Sequence, residues 1–243
     1  GANSGVATIL VKQSTGERAV FFERSTATEP EFLDTHKQLI GSAYILHING
    51  RHRQLMRSAI AVAKEVGTII SLDGGAQRYD EDMKPITEAS HIVIVARDYA
   101  EKYTGTTNLE DACRIIHERG AFIAGVTDGA NGSYFVWPDG ISYRCEPFSQ
   151  ATVVDTTGAG DSFHGAFLAN LVHTINHMKG QDTTSTTKHD RASIHAVELL
   201  KACAHSDLEK AAIFASAVAS LNTQGIGGRS PLPTLKSVQE LIG

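Results

Sequence analysis

Apolar residues fall into short runs that are separated by longer stretches with helix-type spacing. In residues 51–66 the apolar side chains share one face of a helix, which Gly67 is expected to end. Short apolar runs, each followed by a helix-like stretch, predict strands at residues 43–48, 68–72, 91–95 and 121–126. Strands that alternate with helices in this way are typical of an α/β fold, in which helices cover both faces of a parallel sheet.

The remaining elements extend this pattern at both ends of the chain. Two apolar runs around a polar turn at residues 14–17 predict a β-hairpin formed by residues 6–12 and 18–23. Two more short strands are expected at residues 133–136 and 141–144. The other expected helices cover residues 31–40, 81–89, 98–103, 108–119, 159–178, 192–204, 207–221 and 235–242. Residues 180–190 are polar and of low complexity, which predicts a flexible connection within a single α/β domain spanning residues 1–243.

Composition and charge narrow the class of protein. Apolar residues make up 42% and charged residues 20% of the 243 positions, which is typical of a globular domain. The net charge of −5 argues against a nucleic-acid partner. The lack of any run of about 18 apolar residues argues against a membrane partner or span. Cys113, Cys145 and Cys203 form no CxxC pair and the chain begins without a signal-like segment, so we expect a cytoplasmic protein with reduced thiols.

The segment from Asp155 to Asp161, DTTGAGD, is the strongest candidate for chemistry. It follows an apolar pair and precedes a helix, so the N–H groups of Gly158, Ala159 and Gly160 are expected to converge at a helix N-terminus and form an anion site. A carboxylate beside an anion site repels the anion, but it has a use if it takes a proton from an attacking hydroxyl, which would make Asp161 a general base. The alternative is an ordinary strand-to-helix turn in which Asp161 only complements the helix dipole.

Three motifs resemble those of the ribokinase/PfkB carbohydrate-kinase superfamily. Residues 153–171, VVDTTGAGDSFHGAFLANL, closely resemble the signature near the C-terminal end of the family. Residues 126–133, VTDGANGS, resemble the VTxGxxG turn that lies along the nucleotide, and residues 227–234, GGRSPLPT, resemble the loop before the last helix. Residues 47–51 and 97–105 are similar to those of ketohexokinase-like members.

The resemblance implies a ribokinase-like, three-layer α/β/α fold with a mostly parallel central sheet. It implies ATP-dependent phosphotransfer to a hydroxyl of a sugar or related small molecule, with Mg²⁺ between the phosphates, Asp161 as general base and residues 158–160 as the anion hole. The positions that it implies for nucleotide binding are Thr127, Gly129, Gly132, Ala217 and Asn222. Close helix packing is the alternative explanation for the small residues around Ala217.

Two departures from the family pattern change the expectation. Nothing before Val6 supplies the strand with a sugar-binding Asp, the Gly-Gly segment or the lid strands, so we expect the C-terminal two-thirds of such a kinase, with the lid largely absent. The NxxE motif, which is linked to magnesium and phosphate handling, would fall at Ala96 and Tyr99, where neither residue type is present. Arg78 follows a predicted strand at the ligand-binding edge of the sheet, so it is a candidate for substrate binding, with a solvated loop charge as the alternative.

The resemblance also implies a monovalent-cation site for K⁺, with Asp155 and Thr157 as ligands beside backbone carbonyls of residues 225–228. The alternative is that Asp155 only caps its own turn through Asx-type hydrogen bonds. A nucleoside is the alternative to a sugar as acceptor, and a catalytically inactive nucleotide- or sugar-binding protein is the alternative to a kinase. The expected partner is a small, sugar-like molecule, and a homodimer is left open.

Overall fold

The computed structural model describes residues 1–15, 18–149, 152–181 and 196–243. Its strands are β1 (Val6–Val11), β2 (Arg18–Glu23), β3 (Ile45–Ile48), β4 (Ile69–Gly74), β5 (Ile92–Ala96), β6 (Ile123–Thr127), β7 (Ser133–Val136) and β8 (Ser142–Cys145). Its helices are α1 (Asp34–Ser42), α2 (Arg53–Val66), α3 (Lys84–Glu88), α4 (Arg97–Thr104), α5 (Leu109–Glu118), α6 (Ala159–Gln181), α7 (Ala196–Lys201), α8 (His205–Asn222) and α9 (Leu235–Ile242). The order of these elements follows the predicted alternation.

The central sheet has six strands in the order β3-β4-β5-β6-β7-β8. Strands β3 to β6 run parallel, and β7 and β8 are added antiparallel at one edge. Because the spatial order of the parallel strands equals their order in the chain, right-handed crossovers place all of the connecting helices on one face. Helices α6 to α9 cover the other face. The predicted three-layer α/β/α arrangement with a mostly parallel sheet is therefore confirmed.

Alternate side chains of each parallel strand enter different cores. In β5, Val93 and Val95 pack with helices α1 to α5 on one face of the sheet, whereas Ile92 and Ile94 pack with α6 to α9 on the other. All four side chains are fully buried. Burial on both faces explains why these strands appear in the sequence as continuous apolar runs rather than as alternating ones.

Local signals set the ends of the helices. Gly67 follows α2 with a φ of 76°, in the left-handed region that glycine adopts without strain, as predicted. Asn108 caps α5, its side-chain oxygen accepting from two first-turn amides at 3.0 and 3.1 Å. The helix predicted at residues 81–89 is divided into a 3-10 turn, Glu81–Met83, and α3. Pro85 explains the division, because its missing N–H is tolerated only in the first turn of a helix.

Two of the predicted C-terminal elements are described only in part. The predicted connection at residues 180–190 lies outside the described residues, apart from Gly180 and Gln181, which belong to α6. The described part of the helix predicted at residues 192–204 is α7, which begins at Ala196.

The predicted hairpin of β1 and β2 is confirmed and forms a separate two-stranded antiparallel sheet. Large apolar side chains such as Leu10 and Phe21 are exposed on it. Arg51, whose guanidinium lies 5.3 Å from the ring of Phe22, links the hairpin to the segment before α2. No helix in the part of the chain that the structure describes is long and apolar enough to cross a membrane.

Candidate active site

The DTTGAGD segment ends in the first turn of α6. Gly158 has a φ of +80°, and a Cβ placed there would lie 2.5 Å from the Cα of Gly228, so no other residue fits without a backbone shift. The amide of Ala159 donates to the carbonyl of Thr156 at 3.3 Å. Among the described residues, the amides of Gly160 and Asp161 have no backbone acceptor. The same holds for the amide of Gly158, so the amides left free at this helix N-terminus are those of Gly158, Gly160 and Asp161; of the predicted set at residues 158–160, only Ala159 has a backbone acceptor.

Asp161 is exposed at the start of α6. Its carboxylate has no hydrogen-bond or ion-pair partner within the described part of the protein. Space is open around the neighbouring Gly160, since a Cβ at that position would meet no atom within 4 Å. The carboxylate, the free amides and the open space thus lie side by side.

A cavity of about 450 Å³ opens next to these amides. Its walls come from the turn after β6, from the first turns of α6 and from one side of α8, and Thr15 at the tip of the hairpin also contributes. Of the predicted nucleotide-binding residues, Thr127, Gly129 and Gly132 line this cavity. None of the described residues that line it is charged, so an anion bound there would depend on backbone N–H groups and the helix dipole.

Helix α8 presents only part of its predicted stretch of small residues, around Ala217, to the cavity. Ser216, Ala219 and Ser220 line the cavity, whereas Ala217 is fully buried in the core behind it. Asn222 is also fully buried and donates from Nδ2 to the carbonyl of Thr157 at 3.2 Å. Residues at i, i+3 and i+4 share one face of a helix, so the face that carries Ser216, Ala219 and Ser220 does not carry Ala217. The prediction of small residues along this wall agrees with the structure, but the prediction of Ala217 and Asn222 as lining residues does not.

The turn after β6 is fixed by glycines and by an ion pair. Gly132 has a φ of +86°, and a Cβ there would lie 2.3 Å from the carbonyl oxygen of Cys145. Asp128 accepts from Asn131 Nδ2 at 3.0 Å and pairs with Arg97 Nη1 at 3.2 Å. Sequence analysis missed Arg97, which anchors the turn from the neighbouring helix α4.

The position of the missing NxxE motif is occupied by a core residue. Tyr99 is fully buried, and its Oη lies 2.6 Å from Thr87 Oγ1. Burial raises the pKa of Tyr99 to about 12, so its phenol stays protonated at neutral pH. Ala96 ends β5 and carries no ligand atom on its side chain. These two positions therefore offer no metal ligand.

Asp155 joins the start of the DTTGAGD segment to the loop before α9. One carboxylate oxygen accepts from the amide of Thr157 at 2.8 Å and the other from the amide of Gly227 at 2.9 Å. The first bond is the Asx-type cap that the sequence offered as the alternative function of Asp155. Nearby, Thr157 Oγ1 and Asn222 Oδ1 are buried oxygens without a hydrogen-bond partner among the described residues.

Arg78 belongs to a group of side chains near the carboxyl ends of β3 and β4. Its Nη1 lies 3.7 Å from Asp73 Oδ2 and donates to the carbonyl of Asn49 at 3.2 Å. The other oxygen of Asp73, Oδ1, lies 3.7 Å from Nε2 of His164, and the ring centroids of His164 and His47 are 5.9 Å apart. We call His47, Asp73, Arg78 and His164 the strand-end cluster.

The strand-end cluster lies close to Asp161 without sharing the cavity. Burial and the neighbouring His164 lower the pKa of His47, while the charges of Asp73 and Asp161 act in the opposite direction. None of the four cluster residues lines the cavity. Asp161 is therefore adjacent in the chain to the cavity wall at Gly160 and within electrostatic reach of His47 in the strand-end cluster.

Comparison with known proteins identifies the class to which this fold and site belong. The sequence model of the pfkB family of carbohydrate kinases matches residues 1–235, so the chain belongs to this family. A ribokinase from Giardia lamblia has the same fold, with a TM-score of 0.79 at 19% identity, over 100% of this chain and 72% of its own. A ribokinase from Arabidopsis thaliana, solved with ribose and ATP, gives a TM-score of 0.72 at 23% identity, over 99% of this chain and 70% of its own.

Curated relatives include sugar kinases of greater length. The bifunctional ribokinase/ribose-5-phosphate isomerase A of Fructilactobacillus sanfranciscensis is 25% identical over 98% of this chain and 39% of its own length. The probable fructokinase-2 of Arabidopsis thaliana is 30% identical over 71% of this chain and 56% of its own length. The chain thus covers 39% of the length of the first relative and 56% of the length of the second.

Proposed function

We propose that the protein transfers the γ-phosphate of ATP to a hydroxyl group of a sugar or sugar-like molecule. The observation that carries this proposal is the position of Asp161, an exposed carboxylate directly beside the free amides that begin α6 and one residue from the cavity wall at Gly160. A base and an anion site within reach of each other are what phosphotransfer to a hydroxyl requires.

In this proposal each part of the site has one task. The cavity holds the nucleotide with its phosphates toward Gly160, and the acceptor hydroxyl lies at Asp161. The carboxylate of Asp161 accepts the hydroxyl proton as the acceptor oxygen bonds to the γ-phosphorus and the bond to the leaving ADP oxygen breaks. The amides of Gly160 and Asp161 donate hydrogen bonds to the equatorial oxygens, which carry the negative charge in the transition state.

The described side chains provide few ligands for magnesium. Within the described residues, no group of three His, Cys, Asp or Glu side chains could hold a metal ion. The residues near the phosphates fit a Mg²⁺ ion that is held by the nucleotide itself and by water, since Mg²⁺ keeps several waters and binds phosphate oxygens. When bound there, Mg²⁺ would neutralise part of the negative charge of the phosphates.

The surroundings of Asp155 fit a monovalent cation better. Thr157 Oγ1 and Asn222 Oδ1 are buried and have no hydrogen-bond partner among the described residues. Leaving such an oxygen without a partner lowers the stability of the fold by on the order of 1–3 kcal/mol. K⁺ accepts neutral oxygens as ligands, so Thr157 and Asn222 beside the carboxylate of Asp155 are the residues that would hold it. The cap formed by Asp155 is compatible with this site, because it fixes the turn that carries Thr157.

The cation site is tested by salt exchange at constant ionic strength. We expect K⁺ to raise both the melting temperature and the turnover relative to Na⁺ and to a large organic cation. Equal melting temperatures and equal rates in all three buffers would remove the cation and leave Asp155 as a structural cap.

A nucleoside is the second candidate for the acceptor. A cytidine kinase from Thermococcus kodakarensis is 32% identical over 87 residues, which is 36% of this chain. A nucleoside kinase from Burkholderia thailandensis, solved with inosine, has the same fold, with a TM-score of 0.69 at 17% identity, over 99% of this chain and 68% of its own. Both acceptors present a hydroxyl to Asp161 and require the same chemistry.

The proposal is tested by following a label from the γ-phosphate of ATP with the full-length protein. We expect the label to appear on one member of a panel of sugars and nucleosides, with an equal amount of ADP. Binding of ATP without transfer to any acceptor would contradict the proposal and favour a catalytically inactive binding protein.

A further inference from the structure

His164 makes two hydrogen bonds that a neutral imidazole cannot make together. It lies one turn into α6, with 5% of its side chain exposed. Its Nδ1 is 2.8 Å from the carbonyl oxygen of Gly160, and its Nε2 is 3.0 Å from the carbonyl oxygen of Ile94 in β5. A carbonyl oxygen only accepts, whereas a neutral imidazole has one N–H and one lone pair. Both contacts are hydrogen bonds only if both ring nitrogens carry a proton.

The charges around His164 suit a buried cation. Asp73 in β4, with 8% of its side chain exposed, lies 3.7 Å from Nε2 through Oδ1 and 3.7 Å from Arg78 through Oδ2, so a protonated ring adds a second positive partner to this buried carboxylate. The other titratable or charged groups facing the ring are His47 from β3, Arg78 on the far side of Asp73, and Asp161 in its own helix.

The bond from Nδ1 reaches the proposed anion site through one peptide group. The carbonyl of Gly160 and the amide of Asp161 belong to the same peptide, and that amide has no backbone acceptor among the described residues. A charged donor on the carbonyl polarises the peptide and makes its N–H a stronger donor. The bond from Nε2 to Ile94 also ties this peptide to the central sheet.

We propose that His164 is an imidazolium at neutral pH and a positioning residue that fixes and polarises the Gly160–Asp161 peptide. Its positioning role rests on the proposed function, but its protonation state does not. The two parts can therefore be tested separately, and the first test needs no substrate.

The protonation state is measured by nitrogen NMR of the histidine rings in the wild-type protein at pH 7.0. His164→Gln assigns the signal by its disappearance. His91 is the internal reference, because its Nδ1 accepts from the amide of Ile70 at 3.0 Å and burial lowers its pKa to about 4, so it is a neutral ring with a lone pair. We expect two protonated nitrogens for His164 and one for His91. A His164 spectrum like that of His91 would overturn the proposal.

The positioning role is measured with His164→Gln and His164→Phe, each checked for a native melting transition. Gln keeps one donor without the charge, and Phe keeps a flat, buried ring without any donor. We expect kcat to fall about tenfold in the Gln variant and further in the Phe variant, with little change in acceptor KM, because hydrogen bonds from charged donors are the stronger ones.

Two results distinguish a failure of the positioning role from a failure of the proposed function. A folded Phe variant with native kcat would show that His164 only packs, and the positioning role would be wrong. If the wild-type protein transfers no phosphate, the same variants are compared by their affinity for ATP relative to ADP, which we expect to fall with His164→Phe because the polarised amide faces the γ-phosphate. An unchanged ratio would overturn the positioning role in that case.

Discussion

The two sides of Asp161 are built in different ways. On the cavity side, the site consists of backbone groups from short contiguous segments: the free amides of α6 and the turn of residues 127–132. On the other side, the strand-end cluster consists of single side chains that β3, β4 and α6 bring together from positions far apart in the chain. The backbone side depends on glycines with positive φ, and the side-chain side depends on tertiary packing. Substitutions on the two sides should therefore affect different kinetic constants.

The largest effect is expected on the backbone side, from Gly158→Ala. The new Cβ would collide with the Cα of Gly228, and a φ of +80° adds strain of roughly 1–3 kcal/mol. We expect a lower free energy of unfolding in urea and a fall in kcat of about a hundredfold, since a shift of about 1 Å at a reacting centre has that effect.

Gly165→Ala, inside α6, is the matched control for Gly158→Ala, which changes the residue directly before this helix. No atom lies within 4 Å of the added Cβ, and alanine stabilises a helix interior by roughly 0.5–1 kcal/mol over glycine. The control should be at least as stable as the wild type and fully active. A Gly158→Ala protein that behaves like the control would show that the turn is not fixed by its approach to Gly228.

A tenfold effect is expected on the side-chain side, from Arg78→Met. This change removes a positive neighbour of Asp73 and the donor to the Asn49 carbonyl, and a hydrogen bond from a charged donor contributes on the order of 1.5–3 kcal/mol. We expect acceptor KM to rise about tenfold and ATP KM to stay within about twofold. Arg114→Met, which removes an exposed arginine paired with Glu110 in α5, should change neither constant. An equal rise in both constants for Arg78→Met would contradict the division between the two sides.

The smallest effect is expected from Gly129→Val. This substitution on the cavity side is the counterpart of Arg78→Met, because it should raise the KM of ATP instead of the KM of the acceptor. Gly129 has a φ of +54° and lines the cavity, so a β-branched residue strains the turn and narrows the site. We expect ATP KM to rise about fivefold with little change in acceptor KM. Gly140→Val introduces similar strain at a φ of +84° in a turn outside the cavity, so it should lower stability without changing ATP KM.

The sequence was sufficient to predict the features that depend on local patterns. Apolar runs and helix spacing predicted the strands and the helices on both faces of the sheet. The glycines of DTTGAGD predicted the start of α6, and the resemblance to the kinase family implied the turn after β6. The face of α8 could not be predicted, because that helix is rich in small residues all round and its composition does not mark which side packs and which side faces the cavity.

The contacts of the strand-end cluster could not be predicted either. His164 and Asp73 are distant in the chain, and no spacing rule relates a residue in a helix to one at the end of a strand in another part of the fold. His164 lies among apolar residues of α6, a position that is typical of a packing residue. Only the structure shows that its two ring nitrogens meet two carbonyl oxygens.

The central claim is that Asp161 is a general base, and the most direct measurement compares Asp161→Asn with Asp207→Asn. Asp207 is the acidic residue in the first turn of α8, so its variant removes a carboxylate from a helix N-terminus outside the cavity. We predict that Asp161→Asn binds ATP with near-native affinity and lowers kcat by about 10²–10⁴, while Asp207→Asn keeps native kcat. Near-native kcat in the Asp161→Asn protein would contradict the claim and leave this carboxylate as a partner of the helix dipole.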